Sequence, residues 1–157
     1  MHSYILCLAK KSDLTLENFS DVDLFEGAKT VNHFIDYVNM NDNYSPKELA
    51  NFIVNDIPFL KLEGEKVFLD KEKCEQYLDD TMTNLSVKID DYFKRTNFKE
   101  KSFLAWSILS TISCSSDVLV AIIDDDLCIE VKDLTDFATS SSDEDGFYLV
   151  SGVDYHY

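Results

Sequence analysis

At 157 residues the chain has the length of one domain, and its 45% hydrophobic content, with eleven Phe, eight Tyr and one Trp, exceeds what a disordered chain carries. Thirty acidic against fourteen basic residues give a net charge of −16. Such a surface repels nucleic acid and anionic membranes and draws cationic partners, so neither direct nucleic-acid binding nor membrane association is expected.

The first apolar run, SYILCLA over 3–9, is apolar at consecutive positions, as in a strand covered on both faces. SDLTLENFSDVDLFEG reads as a short helix or irregular segment ending near Gly27. In AKTVNHFIDYVNM, Val31, Phe34, Ile35 and Val38 recur at helical spacing and predict a helix. A turn-rich NMNDNY follows. SPKELANFIVNDIP then carries a helix start and stop: Ser45 as cap, Pro46 in the first helical position, Glu48 reaching back to the cap, and Pro58 beyond the end. Leu49, Phe52 and Ile53 are its expected buried face. PFLKLEGEKVFLD predicts a hairpin turning at Glu63 and Gly64.

Asp70 is placed to cap a long helix, KEKCEQYLDDTMTNLSVKIDDYFKR, with Leu78, Met82, Leu85, Ile89 and Tyr92 as its apolar stripe. On its polar side the pairs Asp79–Asp80 and Asp90–Asp91 recur after eleven residues, about three turns. FLAWSILSTISC over 103–114 is too short to cross a bilayer and predicts a buried helix. DVLVAII and LCIEV are rich in β-branched residues and predict a hairpin around Asp124, Asp125 and Asp126. Residues 132–138 read as a turn or short helix, 139–146 as a mobile acidic loop, and GFYLVSGVDYHY as one or two terminal strands. The sum is an α+β fold in a single domain over 1–157, with helices packed on a mostly antiparallel sheet and a C-terminal hairpin.

The charge is uneven. Residues 117–157 hold eleven acids and one base, Lys132, a net −10; residues 1–116 hold nineteen acids and thirteen bases, a net −6. Solubility needs only a modest excess and no concentration at one end. Three adjacent aspartates on a strand would point to alternating faces and cannot converge on an ion without a bend, so a water-exposed hairpin tip is the simpler account of Asp124–Asp126. In the loop, Asp143, Asp145 and Gly146 fit a calcium loop only in part, because Ser141 and Gly152 stand where it needs Asp and Glu. The four glycines form neither a phosphate loop nor a dinucleotide fingerprint, and GxSxG and HExxH are absent. No metal and no cofactor are expected. Cys7, Cys74, Cys114 and Cys128 show no CxxC spacing and sit in apolar runs, which predicts reduced core residues and a cytoplasmic protein. His33, beside Phe34, reads as a boundary residue rather than a general base.

With catalytic motifs missing, protein binding is the expected role. Asp124, Asp125, Asp126, Glu130, Asp133, Asp143, Glu144 and Asp145 are the candidate partner-binding acids, steering a basic protein at long range. Tyr148 and Tyr155, with Tyr157, are candidate anchors. In size, charge and lack of catalytic motifs the chain resembles the small acidic immunity proteins of bacterial toxin–immunity systems, including contact-dependent growth inhibition. That resemblance implies a one-to-one complex with a toxin domain, inhibited by blocking its active site or an exosite. The alternative is a phage or mobile-element inhibitor that mimics DNA before a defence enzyme, the paired aspartates of the long helix supplying its row of charge. An acidic adaptor and a two-carboxylate hydrolase are further readings.

Overall fold

A computed structural model of the chain describes residues 2–14, 21–31, 35–39, 45–113, 118–124, 126, 128–141 and 146–156. Among these, five helices accompany one seven-stranded sheet. In chain order they are β1 (His2–Ala9), α1 (Asp21–Val31), β2 (Tyr37–Asn39), α2 (Pro46–Asp56), β3 (Leu60–Glu63), β4 (Lys66–Leu69), α3 (Lys71–Lys94), α4 (Phe98–Ser113), β5 (Val118–Ile123), β6 (Ile129–Asp133), α5 (Leu134–Ser140) and β7 (Phe147–His156). The sheet order is β3-β4-β7-β1-β5-β6, and β2 also pairs with β7. Only β1 and β5 run parallel; the other pairings are antiparallel. This is the expected single-domain α+β architecture with the expected β5–β6 hairpin.

β1 is central and buried on both faces, which explains its unbroken apolar run. Ile5, Cys7 and Ala9 join Leu119, Ala121, Ile123, Val153 and Tyr155 beneath Leu24 and Ala28 of α1. On the opposite face Leu6, Leu8 and Val120 meet Leu49, Ala50, Ile53 and Val54 of α2 and Leu134, Phe137 and Ala138 of α5. The sheet therefore lies between two helical layers. Among the described residues no helix is long and apolar enough to cross a membrane.

Local signals account for several boundaries. Ser45 Oγ accepts from the Glu48 N–H at 3.3 Å while the Ser45 N–H donates to Glu48 Oε2 at 3.0 Å, a closed capping box. The Ser45 hydroxyl, donating to Glu48 Oε2 at 2.7 Å, and after it the Ser45 N–H hold the Glu48 carboxyl below the usual carboxylate range. Asp70 Oδ1 caps α3 by accepting from the Lys73 N–H at 3.1 Å, and Gly64 supplies the φ of 65° that the β3–β4 turn requires.

Four expectations fail for tertiary reasons. The helix expected over 28–40 stops at Val31, because Tyr37, Val38 and Asn39 pair with His156, Tyr155 and Asp154 of β7. In α2 the buried face is Leu49, Ala50, Ile53 and Val54, and Phe52 points outward at 57% exposure. The segment expected to be a buried helix forms α4, but Phe103, Trp106 and Leu109 are more than 60% exposed. Met82 and Ile89 of the α3 stripe are exposed as well.

Candidate functional site

The site is built from strand ends. Ala9, the last residue of β1, pairs with Ile123 of β5 and with Tyr148 of β7. The end of β5, the start of β6 and the start of β7 therefore lie at one end of the sheet. Both acidic segments of the sequence, 124–126 and 143–145, are flanked by residues at that end. Asp125, Asp143, Glu144 and Asp145 themselves lie outside the described residues, as do His33, Cys114 and Tyr157. Of the loop expected over 139–146, Thr139 and Ser140 belong to α5, the Ser141 N–H still donates to Phe137 O at 2.9 Å, and 142–145 lie outside the described residues.

Each described carboxylate of the expected set has a particular duty. Asp124 Oδ1 accepts from the N–H groups of Asp126 at 3.0 Å and Cys128 at 2.9 Å, which closes the tip of the β5–β6 hairpin. Its role is to shape the tip, and its charge lies half-buried there. Asp126 is exposed at the tip. Glu130, across from Ile122, is exposed and ion-paired with Lys132 at 3.2 Å. Lys132 also donates to Ser140 Oγ at 3.2 Å, tying β6 to α5. Asp133 sits at the far end of β6, opposite Leu119, and its Oδ1 accepts from the Thr135 N–H at 2.8 Å to cap α5. It stands apart from the tip and is a helix cap first.

The two tyrosines part company. Tyr148 is half-buried, with the Lys66 ammonium 4.8 Å from its ring centre. Tyr155 is 2% exposed and belongs to the core beneath α1. It cannot serve as a docking anchor, because alternation along β7 turns it inward with Val153.

Sequence reasoning missed cations at this end. The Lys10 N–H donates to Ile123 O at 3.2 Å, so Lys10 leaves β1 beside the hairpin tip. Lys10, Glu130, Lys132, Ser140, Ser141 and Phe147 line a cleft of about 140 Å³. The Lys10–Lys11 pair directly after the first strand was the available signal. A larger cleft, about 320 Å³, lies on the same face of the sheet toward its opposite end, between Tyr4, Glu48, Leu49 and Phe52. Among the described residues its one carboxylate, Glu48, is committed to the capping box. Among the described residues no three His, Cys, Asp or Glu side chains gather as a metal-holding group.

The acidic repeat of α3 is partly neutralised. Asp90 pairs with Lys94 at 3.0 Å and Asp91 with Arg95 at 3.1 Å, whereas Asp79 and Asp80 are exposed. No family model, curated protein or solved structure matches the chain.

The cysteines also separate. Cys7 is fully buried, and desolvation pushes its thiol up to about 12. Cys74 is buried near Glu75, and burial followed by that charge raises its thiol too. Cys128 is exposed at the hairpin tip, contrary to the core position expected for it. Iodoacetamide should therefore modify Cys128 at least roughly tenfold faster than Cys7 in the folded protein, the difference vanishing in denaturant. Peptide mass mapping over a labelling time course checks this, and equal rates in the folded state would contradict the assigned burial.

Proposed function

We propose that this chain is a cytoplasmic protein-binding inhibitor that neutralises a basic partner, in the manner of an immunity protein blocking a nuclease toxin. The observation that carries this reading is the net −10 of residues 117–157, read together with the strand register at Ala9, which gives both acidic segments flanks at one end of the sheet. A local negative field of that kind accelerates encounter with a cationic surface. Docking then needs few deep contacts, since a basic catalytic cleft is blocked by occupancy alone. The DNA-mimic reading draws less support, because two of the four aspartates that would form its row are paired with Lys94 and Arg95.

Affinity capture from the native host, followed by mass spectrometry, tests the reading. The expected result is one basic protein whose activity the chain suppresses. With that partner in hand, Asp126→Lys with Glu130→Lys should slow association several-fold at low salt and much less at high salt, since exposed charges are screened beyond about 8 Å at physiological ionic strength. Asp124→Asn removes a charge but retains an acceptor for the two tip N–H groups, so it separates field from shape. Capture of an acidic or neutral partner, or association rates that ignore both salt and the reversals, would remove the proposal.

A further inference from the structure

α3 and α4 form an arm that leaves the body of the protein. Of α3, only Cys74, Tyr77 and Leu78 take part in the core clusters, and among the described residues α4 contributes none. The 24 residues of α3 span about 36 Å at 1.5 Å per residue. Residues 95–97 link the helices, and so short a link returns α4 antiparallel to α3. The bend is pinned. Arg95 bridges Asp91 at 3.1 Å and Glu100 at 3.3 Å. Asn97 Oδ1 accepts from the Lys99 N–H at 2.9 Å, and the Lys101 ammonium lies 5.1 Å from the Tyr92 ring centre.

Spacing then fixes what the arm displays. Leu78, Leu85 and Tyr92 are the half-buried stripe of α3, and Leu104, Ala105 and Ile108 that of α4. About a quarter turn away, Met82, Ile89 and Phe93 line one exposed stripe of α3, and Phe98, Trp106 and Leu109 one of α4. Because the helices are antiparallel, both displaced stripes fall on the same side of the arm. Phe93, Phe98 and Trp106 are 74%, 84% and 62% exposed. Rings that bury about 150–250 Å² each when covered therefore leave on the order of 400 Å² uncovered. With Met82, Ile89 and Leu109 the face approaches the ~800 Å² that each partner contributes to a standard interface, beyond the few hundred Å² usual on a monomer.

The charge pattern selects the occupant. Residues 81–87 and 102–113 carry no charge at all, in a chain that is 28% charged. Charge depletion at the centre with charge at the rim is the composition of a protein interface. The rim is polarised: Asp79 and Asp80 lie toward the body, while the tip carries Lys94, Arg95, Lys99 and Lys101 against Asp90, Asp91 and Glu100, a small cationic excess even with Lys94 paired to Asp90 within the arm. We infer that this face binds a second copy of the chain, arm against arm and antiparallel, as a four-helix bundle with its two-fold axis near Ile89 and Trp106. In that arrangement Phe93 and Phe98 of one copy cover Met82 and Leu109 of the other. Lys94 and Lys99 of each tip meet Asp79 and Asp80 of the other arm. The two acidic bodies stay at opposite ends, which limits the repulsion between chains of net charge −16. The inference uses no residue of the acidic sheet end and stands apart from the inhibitor reading.

Sedimentation equilibrium across micromolar concentrations tests it on the full chain. The expected mass is twice the 18.0 kDa of one chain. Trp106→Glu should raise the dissociation constant at least a hundredfold while the circular dichroism spectrum is retained, since the side chain is exposed in the single chain. Phe98→Glu is the second variant should Trp106→Glu fail to fold. Lys94→Glu with Lys99→Glu, and separately Asp79→Lys with Asp80→Lys, should each weaken self-association, and an equimolar mixture of the two should restore it as a heterodimer. A monomer at every concentration, a dimer indifferent to both glutamate variants, or an arm that instead takes up anionic vesicles while the chain stays monomeric would each overturn the inference.

Discussion

Gly152→Ala should destabilise the fold by about 3 kcal/mol or more, at the upper end of what overpacking a core costs. Gly152 lies on β7 opposite Leu6 of the central strand, directly beneath α2. A methyl group there would sit 2.6 Å from the Ala50 nitrogen, 2.8 Å from the Leu49 carbonyl carbon and 3.0 Å from Ala50 Cα. All three atoms are helix backbone, so no rotamer change relieves the contact, and α2 has to lift from the sheet. Its buried residues Leu49, Ala50, Ile53 and Val54 then lose contact with Leu6 and Leu8. Gly27 gives the contrast. A methyl group there would meet Val131 Cγ2 at 2.6 Å, the end of a side chain. Shortening that side chain should rescue the Ala variant at Gly27, as Gly27→Ala with Val131→Ala, whereas trimming Ala50 to glycine cannot rescue Gly152→Ala. Urea denaturation at one fixed protein concentration measures these differences, the concentration being held because self-association shifts apparent stability. A loss below about 1 kcal/mol for Gly152→Ala would show that α2 does not approach the sheet this closely.

Readability from sequence follows the range of the interaction. The Ser45–Glu48 box, the Asp70 cap, the Gly64 turn and the β5–β6 hairpin depend on neighbours a few residues away, and each stands where the residues place it. The helical spacing of Val31, Phe34, Ile35 and Val38 is also a local signal, but it yields to the long-range pairing of Tyr37–Asn39 with the C-terminal strand. That strand enters the sheet between β4 and β1, a position nothing local announces. Periodicity likewise reveals an apolar stripe without saying what covers it. Met82, Trp106 and Leu109 have the pattern of a core, yet each is more than 60% exposed. At the acidic end, composition exposed the charge excess but not the work of each carboxylate. Asp124 closes a turn, Asp133 caps a helix and Glu130 is paired with Lys132, all through partners fixed by the fold. Tyr155 was misplaced for the same reason: strand alternation gives two faces, and only the position of α1 shows which is inside.

Phe137→Ala should cost about 3–5 kcal/mol, a large part of the 5–15 kcal/mol that stabilises a typical domain. Phe137 is 1% exposed, and its ring centre lies 5.5 Å from that of Phe147 in a tilted contact. α5 is only seven residues long and holds to the sheet through Leu134, Phe137 and Ala138. A helix this short is not stable by itself, so its order comes from those three side chains. Removing the largest leaves a cavity between β5 and the start of β7, and the Asp133 cap alone cannot retain the helix. The amides of 134–141 should then exchange far faster than those of β1, as local opening precedes global unfolding. Because α5 joins β6 to the acidic segment before Gly146, the loss also loosens one flank of the proposed partner-binding end. Association with a captured basic partner should slow in Phe137→Ala even where most molecules remain folded, while Cys7 stays protected from alkylation. Unchanged exchange over 134–141, measured by mass spectrometry together with a denaturation midpoint near that of the parent chain, would show that α5 is held by something other than this ring.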